Sequence, residues 1–311
     1  MKGWFIERYK KHKDFLDDYG KVIILFSGIF VSFILISLII NFSKEQKLRV
    51  SFLDVGQGDA IFIQTPSGKQ MLIDGGANNK ILARLSEEMS YFDKNIDVIE
   101  ATHPDADHVT GLIPVLEKFK VSTILETKGI GHTQVFDDLQ KHIDDEDGET
   151  HIAQSGDEID FHDGVIVKVL HPSANYVAKK DDTNDASISI LVLYGEESFL
   201  LTGDLPSTSE PKLIAAGLSK SARGGSASGG NVTVYKAGHH GSKSSSGEQL
   251  LTYIRPEYAV ISAGKDNKYG HPNPEALERL SKYSKEILST IEKGTITFIT
   301  DGKSVEVETE K

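Results

Sequence analysis

Histidines and carboxylates crowd the segment Thr102-His103-Pro104-Asp105-Ala106-Asp107-His108, directly after the apolar run 96–101. Four potential metal ligands, His103, Asp105, Asp107 and His108, fall within six residues. A strand that ends in such a cluster delivers several ligands to one point. Burying them is costly unless a cation or hydrogen bonds compensate. The arrangement suits a pair of divalent metals, and therefore metal-assisted hydrolysis. Four later segments carry matching chemistry. Leu201-Thr202-Gly203-Asp204 ends an apolar strand on a carboxylate placed to bridge two metals. Gly238-His239-His240-Gly241-Ser242 and Tyr269-Gly270-His271-Pro272 each follow a strand, and Asn184-Asp185-Ala186-Ser187 precedes one.

Taken in order, LDVGQGDA at 53–60, IDGG at 73–76, THPDADH at 102–108, FLLTGD at 199–204, GHHGS at 238–242 and NKYGHP at 267–272 resemble the metallo-β-lactamase superfamily of hydrolases. The closer resemblance is to the extracytoplasmic hydrolase domain of the ComEC competence proteins. It covers about residues 48 to 300; each piece alone is weak, and the six in order are specific. The resemblance implies an α/β fold, an αββα sandwich with a two-metal site at one edge of the sheets. It implies that His103 and Asp105 hold one metal, with a contribution from Asn184, and that Asp107, His108 and His271 hold the other. Asp204 would bridge, with water or hydroxide between the metals as nucleophile, so that Asp107 and Asp204 count as catalytic residues too. Many superfamily members have a histidine where this chain has Asp105, and another near Asn184. Oxygen donors are harder, which makes Mn²⁺ an occupant beside Zn²⁺. The ComEC family shares the aspartate.

Of the pair His239 and His240, both are not needed as ligands. His240 is the better candidate to protonate a leaving oxygen or hold a phosphate, with His239 as a metal or substrate contact. Ser242, followed by Lys243-Ser244-Ser245, either donates to phosphate oxygens or caps the next helix. Asp74 is expected to hydrogen-bond a ligand histidine from behind, or else to serve the turn before Gly75-Gly76. Asp59, with Asp54 and Gln57, either orients a ligand or substrate or shapes its Gly-containing turn. His132, His142, His151, His162 and His171 have no partner pattern and are assigned no role.

These residues need elements to position them. Strands are expected at 48–53, 60–64, 70–73, 96–101, 121–125, 159–161, 165–170, 188–194, 198–202, 232–235 and 258–262. Helices are expected at 81–89, 109–119, 207–216, 249–254 and 274–282, and a hairpin at 296–308 around Asp301-Gly302-Lys303. Strands dominate and the ligand candidates sit at their ends, which fits two sheets packed face to face with helices outside. The Gly/Ser stretch 219–231 reads as a surface loop or, through Lys220 and Arg223, a lid.

Residues 22–40 are apolar and uncharged, matching the span of a bilayer. Lys2, Arg8, Lys10, Lys11, Lys13 and Lys21 in segment 1–21 outnumber Lys44, Lys47 and Arg49 after it. That excess predicts a single-pass cell-membrane protein whose hydrolase domain, 48–311, is extracytoplasmic. No small-x-small cleavage site follows the apolar run, so a retained anchor is expected rather than a signal peptide. Cysteine is absent, so His, Asp, Glu or Asn must hold any metal. The net charge of −12 does not favour a nucleic-acid partner. Lys236, Lys243, Lys265 and Lys268 near the motifs offset it locally.

The ComEC resemblance implies phosphodiester hydrolysis with DNA as substrate, in competence and DNA uptake. No multi-span channel is present, and no oligonucleotide-binding barrel fits between the apolar run and residue 48. A separate DNA-uptake channel is therefore a candidate partner; nothing fixes the oligomeric state. Two other readings use the same residues. One is hydrolysis of a cell-envelope phosphodiester, a lactam or a thioester. The other is a tethered, non-catalytic DNA-capture module.

Overall fold

The computed structural model describes residues 2–43, 47–178, 182–218 and 231–311. The chain divides into two compact units, 1–45 and 46–311. The first is a single helix, α1 (Lys2–Ser43). Its stretch Gly3–Ile36 is long and apolar enough to cross a membrane, with a window of mean hydropathy 2.2. The basic residues of the first 21 positions lie on the same helix as the apolar run.

In the second unit the described residues form two sheets. The first runs, in spatial order, β15 (Val305–Thr309), β14 (Ile296–Thr300), β1 (Leu48–Phe52), β2 (Ile61–Gln64), β3 (Gln70–Ile73), β4 (Asn95–Ala101), β5 (Lys120–Glu126) and β6 (Glu149–Ile152). The second runs β13 (Glu286–Ser289), β12 (Tyr258–Ile261), β11 (Val234–Lys236), β10 (Glu197–Leu201), β9 (Ser189–Tyr194), β8 (Val165–His171) and β7 (Glu158–Asp160).

The two-residue period of a strand sorts side chains between layers. On β10, Phe199 and Leu201 join the core between the sheets, while Leu200 joins the outer one. Val50, Phe52, Ile61, Ile63, Met71 and Ile73 of the first sheet meet Val165, Val167, Val169, Ile190 and Val192 of the second in that inner core. Outside the first sheet, Phe62, Leu72 and Ile99 pack on Ile81 and Leu85 of α2 (Lys80–Glu88). The two turns α3 (Ala106–Val109) and α4 (Leu112–Leu116), and helix α5 (Gln134–Asp144), complete that layer. Outside the second sheet lie a short turn, α6 (Pro211–Leu213), and helices α7 (Glu248–Ile254) and α8 (Pro274–Tyr283), packed on Leu200, Tyr235 and Ala259. Each fully buried aliphatic or aromatic side chain here contributes roughly 1.5–3 kcal/mol. The result is the expected helix–sheet–sheet–helix sandwich.

β3, β4, β5 and β6 are mutually parallel, as are β10, β11, β12 and β13. The loops after β3, β4, β10, β11 and β12 carry the ligand candidates, and open sheets collect ligands at such carboxyl ends.

Several elements differ from expectation. The helix expected at 109–119 is split at Gly111, because the backbone there meets Gly75. A Cβ on Gly111 would lie 1.9 Å from the Gly75 carbonyl oxygen. That approach seats the loop after β4 on the loop after β3. The helix expected at 207–216 begins only at Pro211, which fixes its first position. Helix α5 and strands β6 and β13 were not expected. All four residues of β6 are exposed, so no apolar alternation marks it. The lid expected at 219–231 falls outside the described residues apart from Asn231.

Candidate metal centre

Asp74 starts the construction. It follows β3 with φ 58° and is fully buried. Its Oδ1 accepts from Thr102 N at 2.9 Å, and its Oδ2 from Thr102 Oγ1 at 2.7 Å. The same Oδ2 lies 2.7 Å from His108 Nδ1. A carboxylate only accepts, so His108 donates from Nδ1 and turns its Nε2 toward the centre. Thr102 Oγ1 donates to Asp74, so it accepts from His103 Nδ1 at 2.9 Å. His103, neutral, therefore presents a bare Nε2. His240 Nδ1 donates to the Ser262 carbonyl at 3.0 Å, which turns its Nε2 toward the centre too.

The Nε2 atoms of four histidines converge on Asp204 Oδ2. It lies 3.4 Å from His108 Nε2, 3.5 Å from His240 Nε2, 3.6 Å from His239 Nε2 and 3.8 Å from His103 Nε2. His108 Nε2 and His240 Nε2 are 3.3 Å apart, and Asp107 Oδ2 is 3.4 Å from His240 Nε2. Two imidazole nitrogens this close repel, whether both are bare or both protonated, unless a single proton or a cation lies between them. Ligand atoms around a tetrahedral ion with bonds of about 2.0–2.1 Å are separated by roughly 3.3–3.4 Å. His108, His240 and Asp204 have that spacing, as does the pair Asp107 and His240. Beyond Asp204, His103 Nε2 has no hydrogen-bond partner and lies 3.8 Å from Asp105 Oδ2. Thr183 Oγ1 donates to Asp105 Oδ1 at 2.7 Å. The Asn184 side-chain amide touches His239 Nδ1 at 3.3 Å, so Asn184 stands behind that imidazole.

Asp59 belongs to the same buried group as His108, Asp204 and His240, whose ligand atoms lie within 4.8 Å of one another. This donor set suits a divalent cation. Asp59 itself faces the far edges of the imidazoles, with Oδ1 3.3 Å from His240 Nδ1 and Oδ2 4.0 Å from His108 Nδ1. Its Oδ2 is paired with the fully buried Lys236 ammonium. Gly58 lets this loop close, since a Cβ there would lie 1.7 Å from the Asp107 carbonyl oxygen.

The charges reflect this crowding. Burial opposes the Asp59 carboxylate, but Lys236 and His240 outweigh it and hold the group at about 2. Burial likewise opposes Asp204, yet His240 and His108 hold it well below the usual carboxylate range. Burial works against the His240 imidazolium, but Asp204 and Asp59 push it up to about 9. His103 is pushed down to about 4, by burial and then by the charge on His108. A cation entering between His108 and His240 must therefore displace protons.

Two sequence-based placements change. His271, expected beside Asp107 and His108, stands at the rim, and His240 occupies that place. The left-handed pair His239 and His240 (φ 46° and 54°) turns the His240 ring inward, and the Ser262 carbonyl holds its far side. The His271 ring is 5.3 Å from that of His239, and among the described residues no carboxylate lies within ion-pair reach of it. Lys236, read as a base available to the surroundings, is fully buried. Ser242 Oγ accepts from Ser244 N at 3.3 Å and closes its own turn; the N-cap of α7 is Gly247. Sequence reasoning gave no role to Thr102, Thr183 or the Ser262 carbonyl and read Lys236 only as a nearby base. Thr102 and Thr183 each adjoin a ligand candidate, His103 and Asn184, which is the local signal they give.

Residues 53–265 match the family described as the metallo-beta-lactamase superfamily. The chain is 32% identical over 254 residues to Recombination protein 2 of Haemophilus influenzae, covering 80% of this chain and 28% of that protein. It is 28% identical over 267 residues to ComE operon protein 3 of Bacillus subtilis, covering 80% of this chain and 33% of that one. Competence protein ComA of Neisseria gonorrhoeae is 28% identical over 262 residues, covering 82% and 32%. The chain thus spans 28% to 33% of the length of these curated relatives. Among solved structures it is similar to the metallo-beta-lactamase fold protein YhfI from Bacillus subtilis. That match has a TM-score of 0.48 and 9% identity, over 78% of this chain and 95% of the other.

Proposed function

The chain belongs to the metallo-β-lactamase superfamily, and on that premise we propose that it is a membrane-tethered, metal-dependent phosphodiesterase acting on DNA. The observation that carries the proposal is the convergence of four imidazole Nε2 atoms on one oxygen of the buried Asp204. In this reading His108, His240 and Asp107 would hold one divalent cation and His103, Asp105 and His239 a second, with Asp204 available to both. Zn²⁺ or Mn²⁺ would suit these donors. Such a pair polarises phosphoryl oxygens and lowers the pKa of water.

The chain's own residues do the positioning. Asp74 and the Ser262 carbonyl fix the imidazole tautomers, and Lys236 with Asp59 supplies the buried counter-charge behind them. His271 stands beside His239, and its Nδ1 is buried without a hydrogen-bond partner. Similarity to a protein named for competence supports DNA as the substrate. The apolar stretch of α1, preceded by basic residues, supports a tether with the hydrolase unit extracytoplasmic and a DNA-uptake channel as a separate partner.

The test is cleavage of labelled single- and double-stranded DNA by the metal-stripped full chain, resupplied with Mn²⁺, Zn²⁺ or Mg²⁺. Cleavage that needs both metal and Asp204 is the expected result. Absence of cleavage by a chain that binds metal would remove DNA as substrate. The acidic balance of −12 favours, as second reading, a small envelope phosphodiester. That hydrolysis would lack the steep salt dependence of a polyanion.

A further inference from the structure

Tyr269 is the exposed aromatic beside the centre. Among the described residues of the second unit, the other exposed large aromatics are Tyr91 and Phe92, which meet edge to face just ahead of the amino end of β4, away from the ligands. Tyr269 is 52% exposed. One face is backed by His271, with ring centres 5.9 Å apart and an interplanar angle of 24°. His271 in turn lies 5.3 Å from His239, whose Nε2 points at Asp204. One imidazole therefore separates the Tyr269 ring from the histidines of the centre.

The loop that carries Tyr269 is tied down. Asn267 Nδ2 donates to the carbonyls of Gly264 and His271 at 2.7 and 2.6 Å. Asn267 Oδ1 accepts from the backbone of Tyr269 and His271 at 3.2 and 3.0 Å. Asn273 joins it to the neighbouring loop, donating to the Gly270 carbonyl at 3.0 Å and accepting from Lys243 N at 2.8 Å. Basic groups surround the ring: Lys268 Nζ lies over it, 5.3 Å from its centre, where a base would have to displace this mobile side chain toward its own phosphate, and Lys243 and Lys265 are exposed nearby, against one carboxylate in the loop, Asp266.

A rigid, half-exposed ring flanked by lysines is the construction that binds unpaired bases, since every base has a π face and its phosphate meets the cations. We infer that Tyr269 is the stacking platform for an unpaired nucleobase next to the scissile phosphate, and that single-stranded nucleic acid is the substrate class of the centre. The inference rests on the phosphodiesterase reading and narrows it. Tyr269 acts as a specificity-determining residue, through the base, while the metal ligands act on the phosphate.

The test uses the full chain in detergent and two end-labelled probes of equal length and charge, an oligothymidylate and an abasic oligomer. Anisotropy titrations compare wild type, Tyr269→Phe and Tyr269→Ala. Wild type and Tyr269→Phe are expected to bind the oligothymidylate on the order of tenfold more tightly than the abasic probe. In Tyr269→Ala the preference should disappear while abasic binding stays the same. Unchanged preference in Tyr269→Ala, or none in wild type, would overturn the platform. Neither outcome touches the phosphodiesterase reading, which stands or falls on metal- and Asp204-dependent cleavage.

Discussion

The two sides of Asp204 are built differently. On the side of His108 and His240, both imidazoles are at most 1% exposed and both far nitrogens are tied, one to Asp74 and one to the Ser262 carbonyl. The facing ligand atoms are 3.3 to 3.5 Å apart. On the side of His103 and His239 the spacings open to 3.6 to 3.8 Å, and the Asp105 and His239 side chains are 39% and 28% exposed. A desolvated, pre-set ligand group binds with less reorganisation than a wetter, looser one. One ion should therefore be retained through purification and the other exchange with the medium.

Removing what the sides share has the largest effect. Asp204→Ala should lower metal-dependent hydrolysis by about three orders of magnitude or more, measured as kcat/KM on the best substrate. Next comes the contrast between the sides. His240→Ala should lose the retained ion, whereas His239→Ala should lose only the exchangeable one, read by elemental analysis before and after dialysis. Equal losses would erase the asymmetry. Asp74→Asn comes third. An amide cannot accept all three bonds that Asp74 accepts from Thr102 and His108, and affinity for the retained ion should fall about 10–100-fold.

The two sides also have opposite pH signatures in metal-stripped protein. His240 is raised to about 9, so its stabilisation is complete below its ordinary value of 6.5 and disappears as pH rises through about 9. His103 is lowered to about 4, so the stability linked to it is complete above 6.5 and disappears as pH falls toward about 4. Each contributes at most about 3 kcal/mol. Metal-stripped protein should be most stable near its histidines' ordinary pKa, with thermal midpoints falling on both sides. Bound metal should remove the alkaline fall by taking the proton's place on His240. An alkaline fall unchanged by metal would mean that His240 is no ligand.

Much of this was legible before any coordinates. The density of ligands at 103–108 and a carboxylate ending an apolar strand at Asp204 are local patterns, and the period of the strands gave the two sheets. What escaped was set by distant partners. Whether an imidazole can coordinate depends on where its other nitrogen goes. For His240 that is a carbonyl at Ser262, 22 residues away, so the choice between His240 and His271 was not written locally. Lys236 is hidden for the same reason, since its partner Asp59 belongs to the other sheet's loops. The break at Gly111 depends on Gly75, 36 positions earlier, which no helical period reveals.

The most direct measurement counts ions per chain in purified, Zn²⁺- or Mn²⁺-loaded protein, for wild type and Asp204→Ala side by side. A shared Asp204 between unequal sites predicts two ions in wild type, one of them lost on dialysis, and at most one in the variant. A single ion in wild type, or two ions in Asp204→Ala, would contradict the shared two-cation centre.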